Sequence, residues 1–107
     1  MAKYLIKASY SPDGLKGVMK AGGTSRVTAV ERAIQGVGGS LESFHFAFGG
    51  DDVYVIVDVP DNAAAMAMAA TVGSSGAIES YETVVLLTPS EVDKAMDVSV
   101  DYAPPGS

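Results

Sequence analysis

Cysteine and tryptophan are absent, and histidine occurs once, at His45. The missing thiols exclude disulfides, thiolate zinc sites, iron–sulfur clusters and cysteine nucleophiles. A lone histidine excludes a multi-histidine metal site within one chain. Basic residues are few. Seven Lys and Arg face 13 Asp and Glu, for a formal net charge of −6, which argues against nucleic acid as a partner. No run offers the roughly 20 apolar residues of a membrane span. The longest low-charge run, residues 63–78, is rich in Ala, Gly and Ser and reads as a helix with its loop. Residues 1–7 lack the apolar segment of a signal peptide. The expectation is a cytoplasmic protein without a membrane partner.

What is present is a core. Hydrophobic residues make up 48 % of 107, and a chain of this length buries roughly two thirds of its unfolded surface in one domain. Residues 3–10 form a β-rich run that stops at Ser11-Pro12-Asp13-Gly14. Ser11 suits an N-cap and Pro12 a first helical position, so a helix starts there, with Leu15, Val18 and Met19 expected inward. Ala21-Gly22-Gly23 weakens it, and Thr24 or Ser25 can cap a second segment. Val27, Val30, Ile34 and Val37 then recur at helical spacing, up to Gly38-Gly39. Residues 40–48 and 52–59 read as strands around Gly49-Gly50-Asp51. Asp61 caps an Ala/Met helix over about residues 62–72. Residues 78–87 read as a fourth strand, and Thr88 or Ser90 caps a short last helix.

The order is β-α-β-β-α-β plus a short C-terminal helix. This is the split βαβ, or ferredoxin-like, pattern of the α+β class, with a four-stranded antiparallel sheet. One domain covers residues 1–97, and an acidic then proline-rich tail, residues 98–107, is expected to be flexible. Pairing Phe48 with Asp51 sets Phe46 against Val53, Phe44 against Val55, His45 against Tyr54 and Ser43 against Ile56. One face then carries Phe44, Phe46, Phe48, Val53, Val55 and Val57. The other carries Leu41, Ser43, His45, Tyr54, Ile56 and Asp58. Residues 81–87 are apolar on both faces, so the face away from the helices also needs covering. A second copy of the chain is the simplest cover, as a homodimer or a larger homo-oligomer.

Several segments resemble the GYD-domain family. Tyr10-Ser11-Pro12-Asp13-Gly14 resembles its Tyr-Thr-Pro-Glu-Gly opening. Arg26, Glu31-Arg32 and Gly38-Gly39 resemble its second helical segment. Phe48-Gly49-Gly50-Asp51-Asp52-Val53, followed by Asp58-Val59-Pro60-Asp61, resembles its most recognisable stretch. Asp51 stands where the family has its naming tyrosine, so no role of that tyrosine is carried over. The resemblance implies a bacterial protein built as a dimeric α/β barrel. Related barrels include cofactor-free monooxygenases, isomerases, haem enzymes and ligand-binding regulatory modules, and fold alone does not choose among them.

Candidate chemistry is sparse. His45 is the natural acid, base or haem ligand, with the interface histidine as its plain structural reading. Tyr54 and Asp58 share its face and could orient it or a substrate. Tyr10, Arg26 and Ser43 are candidate contacts for a small organic ligand. Tyr10 and Lys7 point to opposite faces and cannot share a pocket. Arg26 opposes the helix dipole near a helix start, which calls for either a structural ion pair or an anionic ligand. Asp51 and Asp52 read as a solvated turn rather than a metal site, with Asp52 tying down backbone amides. The glycine pairs match no phosphate-binding fingerprint. Ser74-Ser75 lacks a nucleophile elbow, and Met66 and Met68 read as core filler. Nothing calls for a cofactor or a metal. An enzyme built on His45, a ligand-binding module and a purely structural oligomer all remain open.

Overall fold

Period-two burial runs through β1 (Ala2–Tyr10). Tyr4, Ile6, Ala8 and Tyr10 are buried, and Lys3, Leu5, Lys7 and Ser9 face the other way. The computed structural model, which describes residues 1–107, continues from there into α1 (Pro12–Ala21) and α2 (Gly23–Gly36). The Ser11 hydroxyl accepts the Gly14 N–H at 3.1 Å and caps α1. Gly22, at φ +90°, separates the two helices. Only glycine enters that backbone region without strain. The break therefore falls at Gly22, and Thr24 and Ser25 lie inside α2 instead of capping it. The expected stripe on α2 is present: Ile34 is fully buried, and Val30 and Val37 pack against the core.

The hairpin pairs β2 (Ser40–Phe46) with β3 (Val53–Val59). Phe44 faces Val55, Phe46 faces Val53, His45 faces Tyr54 and Ser43 faces Ile56, as expected. Two positions differ. The register shifts between Leu41 and Ser43, so Leu41 pairs with Val57 and packs on the core. An extra strand residue at a bulge reverses the direction of everything before it. Phe48 lies beyond the end of β2 and is fully exposed. The Ala47 N–H closes the turn on the Asp52 carbonyl at 2.7 Å, leaving Phe48 in the loop.

Asp61 accepts the Ala64 N–H at 2.9 Å and caps α3 (Asn62–Gly73). After β4 (Ile78–Leu86), Thr88 and Glu91 form a reciprocal capping box on α4 (Pro89–Met96). The strands run in the order β2-β3-β1-β4, antiparallel throughout. This is an α+β, ferredoxin-like architecture with an open four-stranded sheet.

The core lies between one sheet face and α2 with α3, where Ile34 and Met68 meet Val53, Val55, Val57 and Val59. The helices cover this face unevenly. On α1 only Val18 packs on the core, while Leu15 and Met19 are exposed. The helix sits at the margin of the layer, against α2 and β1, so one inward side chain suffices. Met66 is likewise exposed, because α3 is apolar all round and only its Met68 side faces the sheet. No residue of α4 is buried, and residues 97–107 are exposed throughout.

Candidate functional site

Ser11 does more than cap α1. Its N–H donates to the Ala77 carbonyl at 2.9 Å, and its hydroxyl donates to the Gly76 carbonyl at 2.7 Å. The entrance of α1 is thereby tied to the α3–β4 loop. Gly14 lies so close to the Ala77 backbone that a Cβ would collide with it. The break at Gly22 separates α1 from α2. A cleft of about 460 Å³ opens between α1, the first turns of α2 and that loop. Asp13, Gly17, Ser25, Arg26 and Ser75 are among its walls.

Arg26 is the centre of this region. Its guanidinium carbon lies 5.9 Å from the centre of the Tyr10 ring, a cation–π distance. Its Nε is buried without a hydrogen-bond partner. The protein's ion pairs all belong to Lys3 and Lys7, so no carboxylate neutralises Arg26. Arg26 also borders two further cavities. One, about 50 Å³, lies under α2 and is lined by Tyr10, Phe44, Met68 and Tyr81. The other is a groove of about 190 Å³ between α2 and α3. Its walls include Ala29, Ala33, Ala67 and Val72. Burial raises the Tyr81 phenol above its ordinary value of 10.0, with a hydrogen bond to Thr83 acting in the opposite direction.

The candidates read from the sequence divide between two faces. Tyr10 and Arg26 meet on the helix side. Ser43, His45, Tyr54 and Asp58 lie on the open face. His45 is directly opposite Tyr54 and is exposed. Asp58 stands four residues further along β3, about 13 Å away at strand spacing. It faces Lys3 with N–O 3.6 Å. The His–Tyr–Asp cluster therefore does not close within one chain, and Ser43 is separated from Tyr10 and Arg26 by the sheet.

The open face is ordered in rows. Ser43, Ile56, Leu5 and Val84 follow one another across the four strands. Charged rows flank this apolar one. On one side Lys3 reaches Glu42 at 2.7 Å and Asp58; on the other Lys7 lies 3.9 Å from Asp51 and 3.6 Å from Glu82. The hydrogen bond to Glu42 raises the Lys3 pKa above 10.5. Asp51 and Asp52 diverge. Asp51 accepts from the Ser9 hydroxyl at 3.3 Å, while Asp52 accepts the Tyr10 N–H at 2.9 Å. No three acidic or histidine side chains converge as metal ligands would.

The family model of the GYD domain matches residues 4–96. The chain belongs to the GYD-domain family. A search of curated proteins finds no significant match. The matched segment of this GYD domain includes all four helices and nearly all of the sheet. It thus spans both the Arg26 region and the His45 face. No helix is long and apolar enough to cross a membrane.

Sequence reasoning missed most of the cleft walls. Ser75, Gly76 and Ala29 have no chemical signature of their own. The clue was indirect: Ser11 and Gly14 beside a Gly/Ser loop permit close backbone approach, and at the separate groove an alanine-rich α3 leaves space beside α2.

Proposed function

We propose that this GYD-domain protein binds a small organic ligand in the cavities that meet at Arg26, and that it does so as a homo-oligomer. The observation that carries the reading is the convergence of three cavities on one half-buried arginine without an ion-pair partner. Sites for small ligands combine apolar walls with a few placed polar groups, and this region has both. The oligomer is supported by the apolar row Ile56–Leu5–Val84, which no helix of the same chain covers. A second copy packed sheet to sheet supplies that cover and forms the dimeric barrel.

Native mass spectrometry of the freshly purified protein tests both parts. The expected result is a dimer or larger assembly carrying an extra small mass, or gaining one on exposure to a metabolite library. A monomer would remove the oligomer, and an assembly that retains and gains nothing would leave a purely structural role.

The alternative is a cofactor-independent enzyme with His45 as acid or base. The direct pairing of His45 with Tyr54 supports it. Against it stands the distance to Asp58, which leaves the imidazole without a carboxylate to orient it. Turnover lost in His45→Ala with the assembly intact would favour that reading.

A further inference from the structure

We infer that the ligand is a small apolar monocarboxylic acid, with its carboxylate on Arg26 and its hydrocarbon body in the groove between α2 and α3. This rests on the ligand-binding reading above and adds the chemical class.

A cation partly removed from water without an anion is costly, and the cost is recovered when a charged acceptor arrives. The Tyr10 ring offsets only part of it. The planar guanidinium fork matches a carboxylate with two parallel hydrogen bonds, and the buried Nε–H has no acceptor within the chain.

The surroundings select the rest of the ligand. Arg26 is the only cation on the walls of the cleft, the inner cavity and the groove. Asp13 lines the same cleft, and the chain carries a net charge of −6. One positive charge beside a negative one favours a monoanion over a dianionic phosphate. In the groove the walls include Ala29, Val30 and Ala33 of α2 and Ala67, Met68 and Val72 of α3, with Thr71 the one polar neighbour besides Arg26. That surface takes hydrocarbon. Its volume of about 190 Å³ lies below the roughly 300–1,000 Å³ of sites for drug-sized ligands. The body is therefore short, of the size of hexanoate or benzoate.

The test is titration of the full chain, by calorimetry and amide NMR, with hexanoate, benzoate, the matching amides and inorganic phosphate. The acids should bind roughly tenfold to a hundredfold more tightly than the amides, the range of a charge-assisted hydrogen-bonded pair. Arg26→Gln should bring acids and amides to the same weak level, and Arg26→Lys should recover only part of the difference. Ala67→Leu, at an exposed position bordering the groove, should weaken the acids with Arg26 intact, and it serves if Arg26→Gln fails to fold. Amides binding as well as acids, or phosphate binding more tightly, would overturn the carboxylate assignment and leave the ligand site standing. Acids binding unchanged to a folded Arg26→Gln would do the same. Saturable binding of none of these probes would overturn the assignment, while a different retained mass in the native spectrum would still uphold the broader reading.

Discussion

The Asp52 carboxylate accepts the Tyr10 N–H at 2.9 Å, while the Asp52 N–H donates to the Ala8 carbonyl at 2.9 Å. One residue thus fastens the β2–β3 turn to the end of β1, directly before the capped start of α1. Asp52→Ala removes a hydrogen bond to a charged group, and such bonds contribute about 1.5–3 kcal/mol. Urea denaturation should show a loss of that order. Asp52→Asn keeps an acceptor oxygen and should lose less.

Two glycines of α1 should respond to alanine with opposite signs. At Gly14 a Cβ meets the Ala77 backbone, so Gly14→Ala must push the α3–β4 loop away from α1. A loss of roughly 1–3 kcal/mol is expected from overpacking. At Gly17 nothing lies within reach of a Cβ, and Gly17→Ala should gain about 0.5–1 kcal/mol from helix propensity. Thermal unfolding of the two variants reads both signs.

Ile34→Ala tests the core beneath α2. The side chain is fully buried against the β3 valines, and truncations of this kind cost about 2–5 kcal/mol. The urea midpoint should fall while the slope stays constant. A small effect would mean that α2 does not close the core.

Alkaline pH should weaken the fold. Burial raises the Tyr81 pKa above 10.0, so above pH 10 the folded chain holds a proton that the unfolded chain has lost. Stability then falls as pH rises through that window. Lys3, raised from 10.5 mainly by its bond to Glu42, acts in the same direction: its contribution is complete below that pH and is lost above it. Absorbance at 295 nm should show the Tyr81 phenol ionising late in the folded protein. Tyr81→Phe should remove that late phase.

The open face offers a direct test of self-association. Leu5 is paired on both sides, with Ile56 and Val84. Leu5→Asp places a charge at the centre of that row and should convert the proposed homo-oligomer to folded monomer in sedimentation velocity. An unchanged assembly would mean that the subunits meet elsewhere.

Local chemistry made most of the fold legible in the amino-acid order. Ser11-Pro12, Asp61 and Thr88 start helices because their side chains satisfy free amides. The alternation around Phe44, Val53 and Val55 sets the hairpin register, since a slip would expose the whole apolar set. Leu41 and Phe48 escaped that logic. A bulge and a turn boundary depend on backbone hydrogen bonds that residue type does not announce.

The site depended on tertiary structure for a similar reason. Arg26 could be singled out because it opposes its own helix dipole, but its choice between an ion pair and a ligand could not. That required knowing that the acidic partners cluster with Lys3 and Lys7 on the far side of the sheet. His45 and Tyr54 were rightly set opposite each other, since register is local. Their separation from Asp58 follows from the four residues of strand rise along β3, whereas that of Ser43 from Tyr10 and Arg26 follows from which sheet face the helices cover. Sequence alone determined the order of the elements, the helix starts at Ser11, Asp61 and Thr88, and the hairpin register from Ser43 to Phe46. Only the packing of α1, α2 and α3 decided where space and an unpaired charge would coincide, because a cavity belongs to no single segment of chain.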